Sequence, residues 1–368
     1  MSTGPIRVLV VDDAVVARRL VADVLGGAPG IEVVGTASDG RLALAKLAAT
    51  NPDVVILDVE MPVMDGMATL AAIRRERPRL PVIMFSTLTE RGAAATLEAL
   101  ALGAADYVTK PASAGSAGLA MERVREELIP KVRAVTGRLP RHGAAAPARP
   151  RVAWPARPPQ QPEIVAVGTS TGGPNALAAL LAALPADLGV PLVVVQHMPP
   201  VFTRLLAERL AGKCRLRVAE GVPGATLEPG QVWIAPGDHH MLVVREGTAA
   251  RLATNQDPQE NSCRPAVDVL FRSVAAAYGG RGLAVVLTGM GQDGLRGCER
   301  LREAGGQVLA QDEASSVVWG MPGFVARAGL AERVLPLGQI ADEIVRRVRA
   351  GPPPPLTLST RSAGVTDQ

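Results

Sequence analysis

Two sets of residues in this sequence have the types and spacing for chemistry. The first centres on Ser170, in Gly168-Thr169-Ser170-Thr171-Gly172-Gly173-Pro174, directly after the apolar run 164–167. A serine in a tight strand-to-helix turn exposes its hydroxyl beside the free N–H groups of the new helix. That suits an acyl-transfer nucleophile, because those N–H groups can hold a developing oxyanion. The same turn can hold a phosphate, and a plain tight turn is a third reading of this stretch alone. The second set is Asp12, Asp13, Asp58, Ser86 and Lys110, each placed at or just beyond the end of an apolar run. Carboxylates gathered at strand ends repel one another unless a hard cation sits among them, and Mg²⁺ with few protein ligands and several waters fits. One carboxylate of such a site can attack phosphorus, with a lysine and a hydroxyl taking the new phosphoryl oxygens. A lone Asp at a strand end is ordinarily a cap or turn residue. Five polar residues at successive strand ends outweigh that reading.

Two further strand ends complete the Ser170 set. The run 192–196 ends in Gln196-His197-Met198-Pro199, and the run 283–287 ends in Thr288-Gly289-Met290-Gly291-Gln292-Asp293-Gly294. His197 would take the serine proton, and Asp293 would hold the imidazole in the needed tautomer and stabilise its cation. Backbone N–H groups would hold the oxyanion, with that of Met290 a good candidate and Thr171 close to the site. Taken singly, a lone His is more often structural, and Asp293 reads as the N-cap of the helix it opens. The chain order Ser, His, Asp is no obstacle, since such a relay is recognised by roles and geometry. The turn is not GxGxxG, and Gln196-His197 occupies the place where a dinucleotide site needs an acid. His239 and His240 fall between two short strands, 232–235 and 241–244, as a hairpin tip near the site or merely exposed. No Cys or His spacing suggests zinc.

The elements that must position these groups alternate strand and helix, which predicts parallel sheets wound on both faces. The fold class expected is α/β, with two doubly wound parallel-sheet domains. The first is flavodoxin-like, and the second is Rossmann-like with a short antiparallel hairpin. The divisions expected are a first domain over 1–136, a linker over 137–162, a second domain over 163–350 and a disordered tail over 351–368. The linker carries seven prolines from Pro140 onward and cannot build a core. His142 and Trp154 within it read as incidental.

Composition narrows the classes. Of 368 residues 48% are hydrophobic and only 2% aromatic, so the cores must be aliphatic. The pI of 9.3 invites a nucleic-acid reading. Yet residues 128–162 hold seven Lys or Arg and no acid, against a net charge of +4, so the basicity belongs to the connector. With few aromatics to stack bases, nucleic-acid binding is not expected. No apolar run approaches the roughly 18 residues of a membrane span, so no membrane insertion is expected. Cys214, Cys263 and Cys298 are scattered and read as small buried hydrophobes in a reducing compartment, which places the protein in the cytoplasm.

The first half resembles a response-regulator receiver domain along its length. The resemblance implies Asp58 as phospho-acceptor, and Asp12 and Asp13, with the Glu60 carbonyl, as ligands of a receiver Mg²⁺. It implies Ser86 and Lys110 as phosphoryl sensors, Tyr107 as the aromatic switch and a cis bond at Lys110-Pro111. Residues 164 to about 349 resemble the catalytic domain of the CheB family of chemotaxis protein-glutamate methylesterases, on the three motifs around Ser170, His197 and Asp293. That implies hydrolysis of glutamate γ-methyl esters on methyl-accepting chemotaxis receptors, releasing methanol, with deamidation of receptor glutamines. It implies a chemotaxis histidine kinase as phosphodonor and no cofactor in the esterase half. The receiver is expected to cover the Ser170 site until Asp58 is phosphorylated. The rival reading is a non-enzymatic output module whose glycines cradle a phosphate or nucleotide.

Overall fold

The computed structural model describes residues 4–111, 117–138, 160–247 and 249–350. The linker residues 139–159, with His142 and Trp154, and the tail after residue 350 lie outside the described residues. The first half runs β1 (Ile6–Val11), α1 (Val15–Gly26), β2 (Ile31–Ala37), α2 (Gly40–Thr50), β3 (Val54–Asp58), α3 (Gly66–Glu76), β4 (Val82–Ser86), α4 (Glu90–Ala101), β5 (Asp106–Thr109) and α5 (Ala117–Val135). Its five strands form one parallel sheet in the order β2-β1-β3-β4-β5. Strands β3 and β4 are buried at every position, because helices cover both faces, and so they read as unbroken apolar runs. Side chains close the helix starts: Asp39, Asp65 and Thr89 accept the N–H groups of Leu42, Ala68 and Gly92 at 3.0, 2.8 and 3.1 Å.

The second half runs β6 (Ile164–Thr169), α6 (Gly173–Ala183), β7 (Leu192–Gln196), α7 (Phe202–Ala211), β8 (Arg217–Glu220), β9 (Gln231–Ile234), β10 (His240–Glu246), β11 (Ala249–Asn255), α8 (Val267–Tyr278), β12 (Gly282–Val286), α9 (Leu295–Glu303), β13 (Gln307–Gln311), α10 (Met321–Arg327), β14 (Arg333–Leu335) and α11 (Leu337–Ala350). Seven of these strands form a parallel sheet in the order β14-β13-β12-β6-β7-β9-β8. The chain leaves β6 for β7 on one side and returns to lay β12 on the other. The carboxyl end of β6 is thus the switch point where such sheets hold their working groups. The expected short antiparallel hairpin is present, but β10 and β11 form it and not 232–235 with 241–244. β9 joins the large sheet, and β10 pairs with β11 instead. The turn before β10 redirects the chain, with Asp238 at φ +60°.

The two halves share one core. A single buried apolar cluster includes Leu97, Leu100 and Tyr107 of the first half with Leu177, Phe202 and Leu206 of the second. The Tyr107 ring stacks on Phe202 at 4.7 Å and 7°. Polar contacts flank the stack. Thr171 Oγ1 donates to Asp106 Oδ2 at 2.5 Å, Asn175 Nδ2 to the Leu100 carbonyl at 2.6 Å, and Arg204 pairs with Glu90 at 2.6 Å. Among the described residues no helix is long and apolar enough to cross a membrane.

The last helix, α11, is fastened by charge. Arg347 is buried and donates to Glu343 and Gln307 at 2.8 Å each, and to Glu332 at 2.5 Å. Burial raises the Glu343 carboxyl, but Arg346 and Arg347 outweigh it and hold it at about 2 against an ordinary 4.5. A depressed carboxylate stabilises the fold above its unfolded value and loses that contribution as pH falls. The stability gap between wild type and Glu343→Gln is therefore full near neutral pH. It shrinks as pH falls from 4.5 to about 2 in thermal unfolding, and a constant gap contradicts the pairing.

Candidate functional site

Ser170 follows the last residue of β6 and opens the turn into α6. Its N–H donates to the Thr288 carbonyl at 3.1 Å, and its carbonyl accepts the Gly173 N–H at 2.8 Å. Gly172 caps α6 with φ +78°, a conformation that side chains resist. Gly289 lies against the serine, where an added Cβ would sit 2.4 Å from Met321 Sδ and 3.0 Å from Ser170 Cβ. The absence of a side chain at Gly289 therefore leaves room for Ser170, whose hydroxyl makes no hydrogen bond among the described residues. Gly173 packs against Gln196, whose side-chain oxygen lies 1.9 Å from where a Cβ would stand, so no side chain fits there.

His197 stands at the end of the adjacent strand, its N–H donating to the Thr169 carbonyl at 3.2 Å. Its Nε2 lies 2.8 Å from Asp293 Oδ2. Asp293 is buried, and its oxygens accept the N–H groups of Val267 at 2.7 Å, Asp268 at 2.9 Å and Gly294 at 2.9 Å, with Asn261 Nδ2 at 3.0 Å. The expected N-cap role is thereby corrected. Asp293 closes the start of α8 from across the fold, and Gly294, not Asp293, is the N-cap of α9. Burial raises the Asp293 carboxyl, but His197 and the N–H donors outweigh it and keep it below the ordinary carboxylate value.

The other imidazole nitrogen, Nδ1, faces Cys263 Sγ at 3.5 Å. Cys263 was expected as an inert buried residue, but it is partly exposed and touches the imidazole. Its place is set by a two-residue turn. Asn261 and Ser262 have φ +53° and +60°, and Glu260 and Cys263 exchange backbone hydrogen bonds at 3.1 and 2.9 Å. Burial lowers the imidazole, but its interaction with Cys263, followed by that with Asp293, outweighs it and carries His197 to about 10. Asp268, next to Asp293, is pushed up to about 6 by burial and by that neighbour's charge.

Of the remaining residues, Met290 lies between two glycines beyond β12, and its N–H makes no hydrogen bond among the described residues. Thr171 directly follows Ser170, and its hydroxyl donates to Asp106 Oδ2. Asp106 in turn faces the Lys131 ammonium at 3.7 Å. His240 is buried and structural, with Nδ1 accepting the Ala266 N–H at 3.2 Å and Nε2 facing the Pro258 carbonyl at 3.1 Å.

The second set also converges. Asp12, Asp13 and Asp58 offer oxygens within 4.8 Å of one another. Lys110 Nζ lies 2.8 Å from Asp58 and 2.9 Å from Asp12 Oδ2. That Asp12 oxygen is buried and makes no hydrogen bond, so we read the Lys110 contact as an ion pair off the bonding direction. Burial, together with the Asp12 charge, lifts the Asp58 carboxyl to about 6 against the pull of Lys110. Ser86 turns away and donates to the Gly92 carbonyl at 3.1 Å, and the Glu60 side chain meets Arg91 at 3.4 Å on the surface. The Lys110-Pro111 bond is trans rather than cis, as is usual for an X–Pro bond.

Comparison with known proteins gives two family matches, CheB methylesterase over residues 165–344 and response regulator receiver domain over residues 8–117. A protein-glutamate methylesterase/protein-glutamine glutaminase of Trichodesmium erythraeum is 55% identical over 350 residues, covering 93% of this chain and 99% of its own. One of the same name from a Nocardioides species is 54% identical, covering 93% and 95%. The crystal structure of the Thermotoga maritima CheB methylesterase catalytic domain is 40% identical with a TM-score of 0.50, covering 51% of this chain and 99% of that one.

The sulfur–imidazole contact has a spectroscopic consequence. The His197 ring resonances titrate at about 10 in the wild type and well below that in Cys263→Ser, followed by NMR. Equal titrations in the two proteins contradict a part for Cys263 in raising the imidazole.

Proposed function

The chain belongs to the CheB methylesterase family and carries a response regulator receiver domain ahead of its catalytic part, and from this we propose that it is a phosphorylation-controlled protein-glutamate methylesterase. Its substrates are glutamate γ-methyl esters on chemotaxis receptors, and the same attack on a glutamine side chain releases ammonia and deamidates it. The observation that carries the reading is the buried His197–Asp293 contact of 2.8 Å one strand from an unbonded serine hydroxyl.

Ser170 Oγ attacks the ester carbonyl carbon and passes its proton to His197. With Nε2–H given to Asp293, the receiving nitrogen is Nδ1, so in the working state the proton between Nδ1 and Cys263 stays on the Cys263 sulfur, and Nδ1 turns, as a free lone pair, from Cys263 to Ser170. Asp293 stabilises the imidazolium, and the free N–H of Met290 receives the oxyanion; one such donor is worth about 3 kcal/mol of barrier. Methanol leaves with the proton from His197. Water then enters by the same relay, the acyl–serine bond breaks, and a glutamate carboxylate is released.

The first half gates this site. Asp12, Asp13 and Asp58, with the Glu60 carbonyl, suit a hard cation, and the buried Asp12 oxygen without a hydrogen bond supports that fit. These residues would hold Mg²⁺, which would neutralise the crowded carboxylates and the oxygens of a phosphoryl group that a histidine kinase supplies to Asp58. A phosphoryl group on Asp58 competes for Lys110 and draws Ser86 from Gly92. Both changes load β4 and β5, the second of which carries Asp106 and Tyr107. Those residues grip Thr171, the neighbour of Ser170, and Phe202. In the resting state the first half thus covers the rim a receptor helix must reach. The domain divisions at 136 and 162, and work in the cytoplasm, belong to the same reading.

Two outcomes follow. Ser170→Ala loses methanol release from methylated receptor by about 10⁴-fold or more, and retention of substantial activity overturns the nucleophile. Tyr107→Ala removes a stack worth about 0.5–1.5 kcal/mol, so basal methanol release without phosphodonor rises roughly two- to tenfold. An unchanged basal rate contradicts gating through this stack.

A further inference from the structure

The Cys263 thiol, the His197 imidazole and the Asp293 carboxylate offer ligand atoms within 4.8 Å of one another, a grouping that their spacing along the chain conceals. We propose that Cys263 and His197 form a binding site for a soft divalent metal ion, Zn²⁺ being the representative, that shuts the esterase off. The inhibitory part rests on His197 being the base of the relay, and the binding part does not.

Three features carry the site. Tetrahedral zinc with Zn–S about 2.3 Å and Zn–N about 2.0 Å sets its sulfur and nitrogen ligands about 3.5 Å apart. Cys263 Sγ and His197 Nδ1 stand 3.5 Å apart. Next, the other ring nitrogen is held by Asp293 at 2.8 Å, the carboxylate support that metal-binding imidazoles ordinarily have. That carboxylate is itself anchored by N–H groups of Val267, Asp268 and Gly294, so the ring is aimed before any ion arrives. Finally, the turn through Asn261 and Ser262 fixes the sulfur, and Glu260 at its start is clamped by Arg272 through two contacts of 2.6 Å.

The donors also set selectivity. A thiolate with an imidazole prefers Zn²⁺ to Mg²⁺, whereas the all-carboxylate group of Asp12, Asp13 and Asp58 prefers the harder ion. Binding replaces the one proton shared by sulfur and Nδ1. The ion forms a bond to each, and the proton goes to solvent. His197 then has no lone pair for the Ser170 proton, and the remaining metal positions are open to water or to the serine hydroxyl. Partial exposure of both Cys263 and His197 leaves a path for the ion.

The test uses the full-length protein stripped with EDTA and kept in excess Mg²⁺. Zn²⁺ is titrated against methanol release, and Co²⁺ against the thiolate-to-metal charge-transfer absorption. The expected result is one equivalent of Co²⁺ with a thiolate band, and loss of methanol release with Zn²⁺ that EDTA restores. In Cys263→Ala and in the near-isosteric Cys263→Ser, the band vanishes and the Zn²⁺ needed for half inhibition rises by about 100-fold, each read against that variant's own metal-free rate. Cys214→Ala keeps both responses. A band that survives in the Cys263 variants, inhibition of them at the wild-type Zn²⁺ concentration, or no binding by the wild type overturns the site. A metal-free wild type that releases no methanol yet shows the band would instead sink the esterase reading and leave the site standing.

Discussion

The Asp293 carboxylate does two things with two oxygens. It satisfies N–H groups at the start of α8, and it holds the His197 imidazole. A buried carboxylate without donors would be protonated or expelled. Here the N–H groups keep it charged, and the charge then orients the ring. The helix start needs the anion and the anion needs the helix start, so the imidazole is positioned as a by-product of folding α8 against the loop after β12. The second ring nitrogen is thereby left for a third group, and Cys263 or Ser170 can claim it.

Both candidate sites occupy the same kind of place. Ser170 lies beyond the carboxyl end of β6, between β7 and β12, and Asp12 and Asp58 lie at the ends of the adjacent strands β1 and β3. Each sheet reverses its winding there, which opens a crevice lined by turns instead of helices. What joins the two crevices is β5. It ends one residue before Lys110, begins with Asp106 and carries Tyr107, so one short strand touches the phospho-acceptor's partner at one end and the esterase rim at the other. The shared apolar cluster makes this docking a folded interface, and the polar contacts of Asp106, Asn175 and Arg204 flank it.

The buried apolar strands and the residues at their ends were legible because each fact is local, whereas β8, β11 and β14, short or half-exposed, carry no apolar run and were not read. An apolar run of five residues closed by Asp, Ser or His announces a buried parallel strand and its end. Contacts between residues far apart in sequence were not legible. Cys263 meets His197 across 66 positions only because Asn261 and Ser262 take left-handed conformations, which Asn favours and Ser does not advertise. The Asp106–Thr171 bond depends on how two domains dock, which no periodicity encodes. The β9–β10 hairpin was misread for a related reason. Two short strands around a Gly-Asp turn fit a hairpin locally, but β9 gains a parallel partner in β7 and β10 a better antiparallel one in β11.

The account stands or falls on which atom attacks the substrate. Peptide mapping by mass spectrometry after treating the full-length protein with a serine-reactive alkyl phosphonate tests it most directly. The account predicts a single adduct on Ser170, formed faster once Asp58 is phosphorylated. An adduct confined to Cys263 or to another residue, or no adduct at all in a protein that releases methanol, would contradict it.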